Sequence, residues 1–83
     1  MANATIQAMT PAARAIVAAM HAGATLYKEG DIWYLAGVDH PREYVNADVC
    51  EWLESQWYVF EIGDDESPIY RKRWYGLSRR ALL

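Results

Sequence analysis

The amino-acid sequence predicts an α+β fold in which a helix, a β-hairpin, a second helix, a second β-hairpin and a short C-terminal helix follow one another. Residues 12–22 and 46–56 carry apolar residues at three- and four-residue spacing, which is the period of a helix. Two pairs of runs rich in aromatic and β-branched residues are each joined by a turn that contains glycine, which is typical of hairpins. Because 83 residues support only one modest core, we expect a single domain.

The first helix follows residues 1–9, which show no clear period and which we expect to be a flexible lead-in to a domain over residues 10–83. Thr10 is suited to cap this helix, and Pro11 suits its first position, where the missing N–H is no loss. Gly23 is a natural stop. The apolar face of the helix consists of Ala13, Ile16, Val17 and Met20.

The two predicted hairpins are separated by an irregular stretch and the second helix. Residues 24–28 pair with residues 32–36, and residues 58–62 pair with residues 69–74. Residues 37–44 contain a proline within a polar cluster, so we expect them to be mainly a connector.

The second helix and the tip of the second hairpin are acidic. Asn46 is suited to cap this helix, which we expect to end near Gln56, and no Lys or Arg lies between the two. A basic groove on a partner protein would attract such a surface. The candidate partner-binding carboxylates are Asp48, Glu51 and Glu54 on the helix and Asp64, Asp65 and Glu66 at the hairpin tip.

Positive charge is concentrated at the C-terminal end. Residues 1–68 hold eleven carboxylates against three cations, a net charge of −8, whereas residues 69–83 hold five cations and no acid. These cations lie in the second hairpin and in the short helix expected over residues 77–83, and they are Arg71, Lys72, Arg73, Arg79 and Arg80. They either bind nucleic acid or pair with the acidic surface of the same chain, and both interpretations stay open.

The aromatic residues outnumber what a core of this size can enclose. Neighbouring residues of a strand point to opposite sides, so one ring of the pair Trp33 and Tyr34 should face outward. The same holds for the pair Trp57 and Tyr58. We therefore expect Trp33, Trp57 and Tyr58 to provide aromatic contacts to a partner, because exposed Trp and Tyr bury much area at little entropic cost. The alternatives are that the rings fill a thin core or seal a homodimer.

The sequence shows no signature of a catalytic or metal site. His21 and His40 lie far apart without ligands at metal spacing, and Cys50 is expected to be a small buried side chain. A single cysteine excludes an internal disulfide, and neither a membrane span nor a signal peptide is apparent. We expect a cytoplasmic protein that is not an enzyme, requires no metal or cofactor and does not bind a membrane.

Three segments, residues 11–26, 45–53 and 75–83, resemble small bacterial and phage winged-helix proteins. The resemblance implies a winged-helix-like fold in which residues 46–56 stand where the DNA-reading helix lies, with Trp57 near the glycine that usually follows it. A helix in the major groove approaches phosphates, which repel carboxylates. The acidic character of this helix therefore favours a different partner.

The leading hypothesis is a non-enzymatic protein-binding module. It would be a small phage-type inhibitor, similar in size and acidity to anti-CRISPR proteins, that engages a host nucleic-acid-binding protein such as a nuclease complex. The alternative is a dimeric winged-helix transcriptional regulator whose basic C-terminal segment binds DNA. A third hypothesis is a structural component whose rings form a homo-oligomer.

Overall fold

A computed structural model describes residues 9–65 and 71–82, with Leu82 described by its backbone alone. The predicted lead-in lies outside the described residues apart from Met9, which is buried. The elements in chain order are α1 (Pro11–His21), β1 (Thr25–Glu29), β2 (Ile32–Gly37), β3 (His40–Val45), α2 (Ala47–Ser55), β4 (Val59–Asp65), β5 (Lys72–Leu77) and a 3-10 helix (Arg79–Leu82).

The fold is α+β, as predicted, but the order of elements differs: one helix, three strands, a second helix and two strands. The difference lies in residues 37–44, where the prediction of a connector was wrong because β3 occupies most of the stretch. Pro41 is tolerated there because β3 is an edge strand, and the pairing of β2 with β3 shifts register beside it. The winged-helix topology is not confirmed, since this strand stands where another helix would precede the recognition helix.

The five strands of the described residues form one antiparallel sheet in the order β3-β2-β1-β5-β4. The central strand β1 pairs Leu26 with Leu35 of β2 on one side and with Tyr75 of β5 on the other. Both helices pack on the face that carries these three side chains. The opposite face, which we call the open face, has no helix against it in the part of the chain that the structure describes.

Both helices begin at the predicted caps. The Thr10 side chain accepts a hydrogen bond from the Ala13 N–H at 3.2 Å, and the Asn46 side chain accepts one from the Val49 N–H at 3.1 Å. Each cap satisfies a backbone donor that has no partner within its helix. Both helix starts were therefore predicted correctly from the cap residues alone.

The core lies between the helices and the sheet. The predicted apolar face of α1 is buried in full, which confirms that part of the sequence interpretation. From α2 only Cys50 and Leu53 are fully buried, so the remaining side chains of this short helix lie at the rim or at the surface. The sheet contributes Leu26, Trp33, Leu35, Val59 and Tyr75.

Candidate protein-binding surfaces

The exposed side of α2 is acidic. Because Cys50 and Leu53 point into the core, the helix turns Asp48 and Glu51 into solvent and leaves Glu54 half-buried. None of these three carboxylates lies within ion-pair distance of a cation among the described residues. The predicted acidic helix is therefore an exposed surface with unneutralised charge.

Trp57 lies immediately beyond this helix in an unusual backbone conformation. Its φ is 62°, in the left-handed region that a helix terminus normally fills with glycine. The Tyr58 N–H donates to the Leu53 carbonyl at 2.9 Å and the Trp57 N–H donates to the Glu54 carbonyl at 3.0 Å, which together close the helix end. The left-handed region costs an L-residue about 1–2 kcal/mol. The Trp57 side chain is 70% exposed, so burial recovers little of that cost.

The C-terminal segment holds this corner in place. The Ser78 hydroxyl donates to the Trp57 carbonyl, and the Arg80 guanidinium donates to the Gln56 carbonyl at 2.6 Å. The same guanidinium lies 4.6 Å from the centre of the Tyr58 ring. The indole of Trp57 therefore extends from a backbone that is fixed on both sides. We call Asp48, Glu51, Glu54 and Trp57 the helix surface.

Two of the three rings expected at the surface are in the core. Trp33 and Tyr58 are buried, at 1% and 0% exposure, which corrects the prediction that they contact a partner. Trp33 packs against Tyr75 beneath the helices, and Tyr58 packs against Trp52, with ring centres 5.0 Å and 5.6 Å apart. The alternation expected for the second pair holds, since Trp57 is exposed and Tyr58 is buried. In the first pair both rings are buried, because neighbouring tyrosines cover Tyr34 on the open face.

The acidic tip of the second hairpin is partly neutralised within the chain. Asp64 forms an ion pair with Arg71, and this guanidinium holds the pKa of the Asp64 carboxyl below its usual value. Asp65 is exposed, whereas Glu66 lies outside the described residues. The tip is therefore a weaker candidate for partner contact than α2.

The basic segment pairs largely with its own chain. Besides Arg71, Lys72 lies 3.9 Å from Glu29, and Arg73 lies 3.6 Å from Glu61. These contacts match the interpretation in which the C-terminal cations complement the acidic surface. Arg79 is exposed, and Arg80 is half-buried against the end of α2.

The open face carries a row of aromatic rings that the sequence analysis did not find. Tyr44 is paired with Tyr34, and Tyr34 with Tyr27. Tyr27 is paired in turn with Trp74, whose ring covers Gly63 of β4. The Tyr34 ring stacks on Tyr27 at 5.1 Å and meets Tyr44 edge-on at 6.1 Å. The sequence signal for this row is one tyrosine in each of the three successive strands β1, β2 and β3. It can be recognised only if residues 40–45 are identified as a strand.

Charged side chains cover part of this row. The Arg42 guanidinium lies 4.3 Å from the Tyr34 ring centre, and the Lys72 ammonium lies 4.8 Å from the Tyr27 ring centre. The Tyr34 hydroxyl donates to the Glu29 carboxylate at 2.8 Å. Burial raises the pKa of Tyr34 to about 12, and the hydrogen bond to Glu29 contributes in the same direction. Tyr34 is only 1% exposed because neighbouring rings and Arg42 cover it, although none of the described helices packs on this face.

The open face also carries accessible apolar and aromatic side chains. Its exposed large side chains are Ile32, Tyr44, Phe60 and Ile62. A shallow groove of about 650 Å³ crosses the β4 side of the sheet. It is lined by Tyr27, Ile62 and Trp74 together with the polar residues Thr25, Asp64, Asp65 and Lys72. The open face therefore combines exposed apolar side chains with charges of both signs, whereas the helix surface on the other side of the molecule carries carboxylates and no cation.

The remaining candidate reactive groups have structural contacts. Burial raises the pKa of the Cys50 thiol to about 12, which keeps it protonated at neutral pH. The His21 ring is 3.0 Å from the Ala81 carbonyl, and the His40 ring is 3.0 Å from the Glu43 carboxylate. Within residues 9–65 and 71–82, no cluster of three or more His, Cys, Asp or Glu side chains is arranged to hold a metal ion.

No helix among the described residues has both the length and the apolar character needed to cross a membrane. Comparisons with protein-family models, with curated proteins and with solved structures find no match to this chain.

Proposed function

We propose that this protein is a non-enzymatic protein-binding module that engages a basic surface of a host nucleic-acid-binding protein through the helix surface. It would act as a small phage-type inhibitor, similar in kind to anti-CRISPR proteins. The observation that carries the proposal is Trp57, which occupies a costly left-handed conformation while its ring stays exposed. Such strain is kept where it serves a site, and Trp is enriched among residues that dominate binding.

The charge of α2 supports the same partner. Asp48 and Glu51 are exposed and unneutralised on the turns that precede Trp57. Carboxylates at the edge of an interface increase the rate of association with a basic partner, and this effect weakens as the salt concentration rises. An aromatic anchor instead stabilises the complex once it has formed. A protein that binds nucleic acid presents a basic groove of this kind.

The experiment is a competition assay with a host nuclease complex bound to labelled target DNA. We expect the wild-type protein to co-elute with the complex and to release DNA, observed as a fall in fluorescence anisotropy. Trp57→Gly and the double variant Asp48→Lys with Glu51→Lys should each weaken competition by at least about tenfold, which is about 1.4 kcal/mol of binding. Trp57→Gly is informative because it should keep or raise the stability of the fold.

The matched control reverses two other exposed carboxylates, Asp31→Lys with Asp39→Lys, which lie in the β1–β2 and β2–β3 turns and not on α2. This control changes the net charge by the same amount and should compete like the wild type. Equal losses in both double variants would show a general charge effect and would contradict the proposed surface. Absence of co-elution and of DNA release would contradict the proposed function itself.

The DNA-binding alternative predicts a different result in the same assay. Direct binding of the wild-type protein to free DNA at low salt, lost in the variant Arg71→Ala with Arg73→Ala, would favour it. Both cations are engaged with Asp64 and Glu61 in this fold, so DNA would have to compete with ion pairs that already exist.

A further inference from the structure

The open face carries most of the large apolar side chains that are exposed among the described residues. Of the six large apolar side chains exposed in the described part of the chain, four lie on this face: Ile32, Tyr44, Phe60 and Ile62. They extend from the edge strand β3 to the opposite edge strand β4, with the aromatic row between them. Large apolar side chains that are exposed together on one face of a sheet indicate a candidate interaction surface.

The aromatic row makes this face rigid before any partner binds. The four rings are held in cross-strand register, and Tyr34 is fixed by ring contacts, by Arg42 above it and by its bond to Glu29. Rings that are already ordered lose little conformational entropy on association. The face is therefore suited to binding a second flat and preformed surface.

Charge on this face distinguishes between the candidate partners. Its described strand positions carry two cations, Arg42 and Lys72, and two carboxylates, Glu29 and Asp65, so the face is balanced. Nucleic acid would require an excess of positive charge, and a basic protein would require an excess of negative charge. A second copy of the chain brings the same balance, because an isologous interface joins two identical patches.

We propose that the open face is the interface of a homodimer in which the sheets of two copies pack face to face. The helices of each copy then lie on the outside, and the carboxylates of both α2 helices stay accessible. Strand spacing of about 4.8 Å and a rise of about 3.3 Å per residue make the face roughly 20–25 Å on each side. An interface of that size is at the small end of stable interfaces, so the dimer forms reversibly with a Kd on the order of micromolar.

The test measures molar mass by sedimentation equilibrium from about 1 µM to about 500 µM, a range that brackets the expected Kd. The wild-type mass should rise from 9.5 kDa toward twice that value. Ile62→Lys and Ile32→Lys place an unpaired charge in the interface and should each raise the dissociation constant at least about tenfold. Val38→Lys is the matched control, because Val38 is fully exposed in the β2–β3 turn and away from the open face.

Circular dichroism melts of each variant establish that the fold is intact. A wild-type protein that stays monomeric across the whole range would overturn the homodimer. Equal loss of self-association in Val38→Lys and Ile62→Lys would overturn the assignment to this face. If the wild type does not self-associate and Ile62→Lys no longer binds the host protein, the open face would be assigned to that partner instead. Trp57→Gly should dimerise normally, so the outcome is independent of the proposed function.

Discussion

On the helix-covered face of the sheet, Trp33 and Tyr75 pack ring to ring beneath two helices and are almost completely buried. On the open face, Tyr34 is buried to the same degree, but by neighbouring tyrosines and by Arg42, and Tyr44 beside it stays 65% exposed. The first arrangement forms the core that holds the fold. The second is a ring cluster one side-chain layer thick. Burial of an aromatic residue therefore has a different meaning on each face of this sheet.

The largest expected effect is the loss of folding stability when a tyrosine is replaced by alanine on one face of the sheet or on the other. Tyr75→Ala removes a ring from the core and should lower the free energy of unfolding by about 3–5 kcal/mol. Tyr44→Ala loses one edge contact with Tyr34 and should cost about 1 kcal/mol. Urea denaturation of both variants measures the difference. Similar costs at the two positions would show that the open face contributes to stability as a second core.

Glycine substitutions probe the packing of the open face itself. An alanine Cβ at Gly63 would collide with the Trp74 ring, so Gly63→Ala must displace the end of the aromatic row. This displacement should lower the free energy of unfolding by about 1–3 kcal/mol. Gly76→Ala is the control, because its Cβ would meet only the Ile62 side chain, at 3.2 Å, and that chain can move. Near-ultraviolet circular dichroism should change in the first variant alone. An unchanged aromatic signal in Gly63→Ala would contradict the position of Trp74.

The smallest expected effect is a dependence on high pH. Tyrosine in the unfolded chain ionises near pH 10, whereas Tyr34 in the folded chain has a pKa of about 12. The folded state thus holds a proton that the unfolded state releases, so stability is fully present below about pH 10 and falls as pH rises toward 12. Tyr34→Phe should lose about 1 kcal/mol near neutral pH, from the bond to Glu29, and should show a shallower decline above pH 10.

The measurement is urea denaturation at a series of pH values, with absorbance at 295 nm to follow tyrosine ionisation. The pKa of Tyr75 is also raised by burial, so part of the decline should remain in Tyr34→Phe. Identical slopes in wild type and variant between pH 9 and pH 11 would contradict the assigned role of Tyr34.

Local signals in the sequence were sufficient for the helices and for most of the strands. Thr10 and Asn46 cap the helices as predicted, and the buried face of α1 is the one that its spacing defines. These features depend only on neighbours within four residues, so they can be predicted from the local sequence. The acidic character of α2 was equally visible, but its exposure was not, because Trp52 and Trp57 left open which side of the helix turns inward.

Tertiary structure alone decided β3, the burial of Trp33 and Tyr58, and the open face. The strand that contains Pro41 forms because it pairs with β2 at the edge of the sheet. No local sequence pattern in residues 37–44 indicates that this pairing is possible. The sequence by itself determined an α+β fold, its helix caps and an acidic second helix. Which rings reach solvent depends on strand order and register, because both are set by pairing between segments that are distant in sequence.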